Sequence, residues 1–446
     1  MKLTDNEPMD TSDKYKIADL VIKTVLDKGA SQAAVAIKET SRRQIEIRER
    51  KIDRLQESIG NSLSVDLYVD RKFSSHSTNL IREKDLLKFI KEAVEATRYL
   101  SEDEFRYLPE KDLYYSGDGE DLKTLDPVLN SVGSKEKIGL ARIAEEEVYG
   151  TDSRIISVTS YYSDNVTSMI LADSNGFKGE AGSSFAGITA EVSVKDDKGR
   201  PSDSWGEYSI FYDKLKKSGI GKTAFERAIR KSNPKKIRSG KYNIIVENLV
   251  SGTLLNPFIS SLLGASIYQK NSFLAGKINT RVASAYLTIF DDPLMISGFG
   301  SRHFDIEGLR SVKRVVVEEG MLRSYYIDTY YGRKLNLPPT SGSGSNITFK
   351  TGKNDLNGLI SSADRGLLIS GFNGGNCNGA TGDFSYGIEG FYIENGKILH
   401  PVSELNISGN MKEFWNSLAE VGNDPYPYSS RMTPSMLFID TDVSGI

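Results

Sequence analysis

The chain has 446 residues, of which 38% are hydrophobic and 26% are charged, and its formal net charge is −3. This is the composition of an ordinary globular protein, and the length predicts two or three domains. The small net charge provides no strong attraction to nucleic acid or to an anionic membrane. No apolar run is long enough to span a bilayer, and the N-terminus lacks the apolar core of a signal peptide. Because one cysteine cannot form an internal disulfide, we expect a cytoplasmic protein.

The first half predicts helices and strands that follow one another along the chain. Apolar residues at helical spacing predict four helices, over residues 11–28, 83–98, 134–150 and 213–233. We expect the last of these helices to be broken at Gly219 and Gly221. Alternating or apolar runs predict strands over residues 33–38, 43–48, 51–58, 62–70, 154–160, 169–172 and 186–194.

A basic, turn-rich stretch, residues 232–241, is the predicted domain boundary, which gives domains 1–233 and 234–446. The second half is richer in strands and glycine. It predicts a strand at 242–247, an apolar helix at 250–263 and further strands between 286 and 330. The expected fold class is α+β, with two domains that each contain a mainly antiparallel sheet and packed helices.

Residues 371–401 begin as a glycine- and asparagine-rich run, which predicts a loop, and continue as a strand, an Asn395-Gly396 turn and a second strand. Glycines permit close approach of another chain, and an extended peptide can bind by adding a strand to such an edge. The alternative is a structural hairpin that packs on the domain core. The candidate peptide-binding residues are Asn373, Gly374, Gly375, Asn376, Thr381, Gly382, Asp383, Phe384 and Ser385.

The histidines are His76, His303 and His400, and none has another histidine three to five residues away, so the sequence offers no helix-borne zinc pair. Cys377 has no basic residue close in sequence to lower the pKa of its thiol. Separated residues such as His303, His400 and Cys377 could still meet in space, and this alternative stays open.

The stretch "SGIGKTA" around Lys222 resembles part of a phosphate-binding loop. The full motif requires a glycine where this chain has Lys216, and the stretch lies within a helical pattern instead of following a strand. We therefore expect a kinked surface helix and no nucleotide site.

Three segments, 260–293, 302–335 and 379–411, are similar to the PmbA/TldE branch of the TldD/PmbA family. The resemblance implies a subunit of a cytoplasmic peptidase that forms dimers, often between a TldD-type and a TldE-type chain. In that family the TldD-type subunit carries H-E-x-x-x-H on a helix and binds zinc through both histidines and a downstream cysteine. Members were also labelled modulators of DNA gyrase, and this sequence offers no DNA-binding feature that supports the label.

The corresponding helix here, within residues 249–269, contains no histidine and no glutamate, and residues 422–438 contain no cysteine. The resemblance therefore implies a TldE-type subunit with no catalytic residue and no metal of its own, and zinc in a TldD-type partner. The expected partners are a TldD-type subunit or a second copy, and an extended peptide substrate. We expect no direct nucleic-acid or membrane partner. The alternatives are a self-sufficient peptidase with a non-standard site and a regulatory binding protein without proteolytic activity.

Overall fold

The computed structural model describes residues 9–197 and 199–446. It is an α+β structure, as predicted, with 23% of the residues in helices and 38% in strands. The helices of the described residues are α1 Thr11–Asp27, α2 Glu83–Thr97, α3 Ser134–Glu146, α4 Ile220–Arg230, α5 Gly252–Ser260, α6 Gly264–Tyr268, α7 Thr329–Leu335, α8 Leu356–Ser362 and α9 Met411–Asn416. No helix in this part of the chain has the length and apolar character needed to cross a membrane.

The first half is built on a six-stranded antiparallel sheet in the order β3-β2-β1-β4-β5-β6. Its strands are β1 Gln32–Arg48, β2 Lys51–Val69, β3 Lys72–Thr78, β4 Ile155–Asp173, β5 Lys178–Val194 and β6 Ser202–Ser209. The strands are longer than predicted, because polar residues such as Thr40 and Asn165 continue the backbone ladder between apolar segments. The prediction of two short strands in place of β4 is therefore wrong.

Two pairs of helices cover the same face of this sheet at its two ends. Val35 and Ile37 of β1 pack in the core formed with α1 and α2. Ile45 and Ile47 point to the same side further along β1 and pack in the core formed with α3 and α4. The long sheet thus carries two separate apolar cores on one face.

The predicted break in the fourth helix is confirmed, and its position has a simple cause. Gly219 has a φ of 83°, which favours glycine, and α4 begins at the next residue. Residues 212–214 form a short 3-10 turn instead of helix. Gly221 is required by packing, because a Cβ there would lie 2.0 Å from the carbonyl oxygen of Ala144 in α3.

The second half contains a six-stranded sheet in the order β14-β13-β12-β7-β16-β15, and pairing between β14 and β16 closes it into a barrel. A second, four-stranded sheet has the order β10-β9-β8-β11. The strands of the two sheets are β7 Gly240–Val246, β8 Ile289–Asp291, β9 Arg314–Glu318, β10 Met321–Leu322, β11 Ile347–Phe349, β12 Arg365–Cys377, β13 Asp383–Glu394, β14 Lys397–Asn410, β15 Leu418–Val421 and β16 Met436–Ser444. Within the barrel β7 and β12 are parallel, and the other pairs are antiparallel.

The predicted Asn395-Gly396 turn is confirmed between β13 and β14, with φ values of 51° and 71°. The predicted loop over the glycine-rich run is wrong, because residues 371–377 belong to β12. Helix α7 was not predicted. Asp328 begins it by accepting a hydrogen bond from the backbone N–H of Tyr331, in a region whose glycine turns predict strands.

Candidate peptide-binding site

The glycine-rich part of β12 has one open edge. Residues Gly366–Ile369 pair with β7 on one side and with β13 on the other. Strand β7 then ends, with the N–H of Glu247 bonded to the carbonyl oxygen of Ile369 at 3.0 Å. From Gly371 to Cys377, β12 pairs with β13 alone among the described residues. The backbone on the other side of these residues can accept an added strand.

A bulge interrupts this segment. Phe372 lies opposite Ile388 and Gly375 lies opposite Tyr386, so Asn373 and Gly374 together lie opposite Gly387, and β12 carries one additional residue here. Gly374 and Gly375 have φ values of 83° and 111°. Glycine is required most strictly at Gly375, where a Cβ would lie 2.2 Å from the carbonyl oxygen of Ser385. The bulge bends the strand and exposes short polar side chains beside the open edge.

The end of the β12–β13 hairpin is held by a polar network. The Asn410 side-chain amide donates to the Thr381 carbonyl oxygen at 3.0 Å and to the Asp383 carboxylate at 2.8 Å. The Thr381 hydroxyl donates to the same carboxylate at 2.7 Å. These hydrogen bonds lower the pKa of Asp383, with Thr381 the largest cause, and the nearby Lys412 lowers it further. Thr381 and Asp383 are therefore engaged in shaping the hairpin.

The candidate residues differ in their availability to a ligand. Phe384 is 5% exposed, and its ring packs against Phe414 and Tyr386 with centroid distances of 5.3 and 5.7 Å. The ring belongs to the barrel core, so at this position only the backbone of Phe384 is available to a peptide. Gly382 is also buried. The exposed candidates are Asn373, Gly374, Gly375, Asn376, Thr381, Asp383 and Ser385.

A cavity of about 670 Å³ adjoins the bulge at Asn373 and lies between the two halves of the chain. Lys231, at the end of α4, crosses this seam and forms ion pairs with Asp203 at 3.0 Å and with Glu389 of β13 at 2.8 Å. The sequence does not predict the contact between Lys231 and Glu389, because the two residues are 158 positions apart and neither stands in a motif. The basic stretch 232–241, which starts just after Lys231, is the feature of the sequence that indicates a boundary between the two halves here.

Helix α5 is held by apolar packing. Leu254, Leu255, Phe258 and Ile259 are buried in the barrel core, and Phe258 meets Trp415 edge-on at 5.3 Å. The outward side of the helix carries Asn256, whose side-chain oxygen accepts a hydrogen bond from the guanidinium of Arg431.

Two segments therefore meet where the family resemblance would place metal ligands, and they supply an amide and a guanidinium. A guanidinium cannot ligate a cation, so these residues do not fit a zinc site. In residues 9–197 and 199–446, no three histidine, cysteine or acidic side chains are arranged to hold a metal ion.

Cys377 and His400 lie in different parts of the barrel. Cys377 is opposite Phe384 and His400 is opposite Tyr392, so they are separated by eight positions along β13, or about 26 Å. Burial and the Asp383 carboxylate raise the pKa of the Cys377 thiol, which disfavours the thiolate. A catalytic pair of these two residues is thereby excluded.

The other two histidines, His303 and His76, both contact side chains of the first half of the chain. The His303 ring stacks on Tyr115 with centroids 5.0 Å apart. His76 lies 2.9 Å from the hydroxyl of Ser74 and contacts Phe89 edge-on.

The N-terminus of α4, where "SGIGKTA" lies, is closed by the chain itself. The carboxylate of Glu147 accepts hydrogen bonds from the backbone N–H groups of Gly219 at 2.5 Å and Gly221 at 2.8 Å. These are the groups that a phosphate would use, so an anion site here is already filled. The geometry agrees with the expected absence of a nucleotide-binding loop.

A second, acidic cavity of about 240 Å³ lies between the six-stranded sheet of the first half and the segment that leads into α7. Glu307 lines it and accepts hydrogen bonds from the backbone N–H of Thr329, at 2.9 Å, and from its hydroxyl. Burial raises the pKa of Glu307 to about 7. The bonds from Thr329 oppose this rise, and the charges of Asp305 and Asp328 add to it.

Glu307 makes the stability of the fold depend on pH. Its pKa is 4.5 in an ordinary environment and about 7 here, so between these values the folded chain binds more protons than the unfolded chain. The free energy of unfolding is therefore expected to fall as pH rises from 4.5 to 7, by about 2–3 kcal/mol from this group. Thermal or urea unfolding of wild type and Glu307→Gln across this range measures the difference. Identical pH profiles would contradict the assignment.

The comparisons with known proteins agree with this architecture. The family description "PmbA/TldA metallopeptidase" matches in three parts, domain 1 at residues 33–97, the central domain at 127–232 and the C-terminal domain at 239–445. Metalloprotease PmbA of Escherichia coli O157:H7 is 25% identical over 439 residues, which are 96% of each chain. A "Metalloprotease PmbA homolog" of Buchnera aphidicola subsp. Baizongia pistaciae is 30% identical over 357 residues, 78% of each chain.

Solved structures have the same fold. A protein of Bacteroides thetaiotaomicron described as a "putative modulator of DNA gyrase" is 42% identical, with a TM-score of 0.96 over 98% of this chain and 100% of that chain. TldE from Thermococcus kodakarensis is 18% identical, with a TM-score of 0.82 over 96% of this chain and 100% of that one, and this likeness shows the fold alone. The chain therefore belongs to the PmbA/TldA metallopeptidase family, as its resemblance to PmbA/TldE-type chains predicts.

Proposed function

We propose that this chain is the TldE-type subunit of a cytoplasmic two-subunit zinc metallopeptidase. In this proposal a TldD-type partner holds the zinc, and this chain contributes dimer interface and part of the peptide-binding cleft. The observation that carries the proposal is the chemistry of α5, which offers Leu254, Leu255 and Phe258 to the core and exposes Asn256 and Ser260, neither of which is a histidine, cysteine or carboxylate. Hydrolysis by a metallopeptidase needs a metal-activated water and a base, and this helix supplies neither.

The open edge of β12 supports a role in binding an extended peptide. Backbone hydrogen bonds along residues 371–377 would hold a substrate without regard to its sequence, because they are made to main-chain atoms only. Asn373 and Asn376 stand exposed beside this edge and can add side-chain hydrogen bonds. The seam cavity next to Asn373 leaves room for side chains of the bound peptide.

The test is co-expression of this chain with a TldD-type chain, followed by affinity purification. We expect a stable complex that digests unfolded peptides, and no digestion by this chain alone. Zinc analysis is expected to find metal in the complex and none in this chain by itself. Digestion and stoichiometric zinc in this chain alone would establish a self-sufficient peptidase, and a complex without peptidase activity would favour a regulatory protein. Either result contradicts the proposal.

A second arm tests the cleft. A photo-crosslinking residue at Asn376 is expected to label a bound unfolded peptide in the complex. The matched control places the same residue at Tyr99, which is 88% exposed and lies at the end of α2 in the first half of the chain. Equal labelling at both positions would mean that β12 does not line the cleft, even if the complex is an active peptidase.

A further inference from the structure

The cavity between the two halves of the chain lies at one end of the open edge of β12. Asn373 and Glu389 both line it, and Glu389 lies opposite Gly371, the residue at which the open edge begins. A peptide that adds to this edge antiparallel to β12, which is the more stable pairing, has its C-terminal end at Gly371. The C-terminal end of such a peptide therefore lies beside the cavity.

The first half of the chain contributes the loop between β5 and β6 to the wall of this cavity, and the loop is held in place. The carboxylate of Asp196 accepts hydrogen bonds from the backbone N–H groups of Gly199, at 2.6 Å, and of Asn233, at 2.7 Å. Asn233 belongs to the turn-rich boundary between the halves, so these bonds fix the loop against that boundary. Arg200 lies in this loop and lines the cavity.

The charges that line the cavity are paired with one exception. Glu389 forms an ion pair with Lys231 at 2.8 Å. Glu404 forms one with Lys236 at 2.6 Å. Among the residues that the structure describes, the exposed guanidinium of Arg200 has no hydrogen bond and no ion pair. The cavity thus presents one cation whose charge no neighbouring group offsets.

A guanidinium is the side chain best matched to a carboxylate, because its planar N–H groups can donate two parallel hydrogen bonds. The amide of Asn373, which reaches the cavity from the barrel, can donate a further one. We propose that Arg200 binds a carboxylate at the C-terminal end of the peptide, either the chain terminus or the side chain of an acidic last residue. This inference rests on the proposed function, and it names the chemical group of the substrate that the cleft recognises.

The length of the open edge sets the length of the peptide that tests this inference. Residues 371–377 are seven residues, of which one is additional at the bulge, so six positions remain for pairing. Six residues in an extended strand span about 20 Å. A hexapeptide therefore fills the open edge with its last residue at the cavity.

Fluorescence anisotropy on the full chain measures the recognition. The probe is a hexapeptide of alternating valine and threonine with rhodamine at its N-terminus, and it ends in a free carboxylate or in an amide. We expect the free acid to bind about fivefold more tightly than the amide. Arg200→Gln is expected to remove this difference. Arg142→Gln, at an exposed arginine of α3, removes the same charge elsewhere and is expected to preserve it.

A third peptide, an amide with aspartate as its last residue, separates the two sources of the carboxylate. If it binds like the free acid, the side chain of an acidic last residue is also recognised, and if it binds like the plain amide, only the chain terminus is. Equal affinity of wild type for all three peptides, or a preference that survives Arg200→Gln, would overturn the inference and leave the proposed cleft standing. If none of the peptides binds, the cleft itself is contradicted and the inference fails with it.

The orientation of the peptide is tested separately by crosslinking. A benzophenone side chain at the last residue of the hexapeptide is expected to label the loop that carries Arg200 or residues Pro401–Glu404, which line the same cavity. The same group at the first residue is expected to label the other end of the open edge, near Cys377. The reverse pattern would place the C-terminal end of the peptide away from the cavity and would contradict the inference.

Discussion

Lys137→Met is expected to lower the free energy of unfolding by about 3–5 kcal/mol, because it leaves a buried carboxylate without its main partner. Lys137 of α3 and Asp164 of β4 have no exposed side-chain surface, and they form an ion pair. The Asp164 carboxylate also accepts a hydrogen bond from the Tyr162 hydroxyl at 2.9 Å and has Arg43 at 3.7 Å. Burial lowers the pKa of Lys137, and Asp164 opposes that shift.

A double variant separates the loss of the pair from the loss of the lysine stem. Lys137→Met with Asp164→Leu removes both charges and keeps apolar volume, so it is expected to recover most of the lost stability. Urea unfolding of both single variants and the double variant measures the coupling. Lys88→Met is the surface control, because its partner Glu92 is 3.9 Å away and both side chains are mostly exposed. If Lys137→Met lowers the free energy of unfolding by less than about 1 kcal/mol, the buried ion pair does not stabilise the packing of α3 on the sheet as described.

The pairing of Lys137 with Asp164 could not be predicted from the sequence. The helical pattern around Lys137 predicts α3, but the period alone does not say that one lysine of a charged helix points inward. Asp164 lies in the stretch between two predicted strands, and the continuous strand β4 brings it under the helix. Both residues look like surface charges until the sheet is assembled.

The sequence correctly predicts the features of the fold that neighbouring residues determine. The bounds of α2, the break at Gly219 and the turn at Asn395 follow from periodicity and from backbone preferences, which neighbouring residues determine. The apolar character of α5 was also readable, and with it the lack of metal ligands on that helix.

Long-range pairing was not readable from the sequence. Barrel closure depends on residues such as Ile407 and Val443, which face each other across β14 and β16. The open edge of β12 exists because β7 ends at Val246, more than a hundred residues earlier in the chain. For this reason the glycine-rich run looked like a loop and is a strand with one free side.

Gly375→Ala is expected to cost about 2–5 kcal/mol, because it combines two penalties on the open strand. The residue has a φ of 111°, which an L side chain rarely adopts, and the new Cβ would lie 2.2 Å from the Ser385 carbonyl oxygen and 2.7 Å from Tyr386 Cα. Both neighbours are backbone atoms of β13, so the strands must separate to make room. The expected result is a destabilised hairpin and a lower unfolding midpoint in urea.

Gly374→Ala is the matched control at the adjoining residue. Its φ is 83°, and a Cβ there would meet no atom within 4 Å, so only the backbone penalty of about 1–2 kcal/mol applies. The difference between the two variants therefore isolates the close approach of β12 to β13. Equal losses would mean that the bulge is not held against β13 as described. Gly374→Ala keeps the pairing of β12 with β13, so peptide binding can be measured on a folded chain. If this variant loses crosslinking at Asn376, the loss is caused by the change at the open edge and not by unfolding.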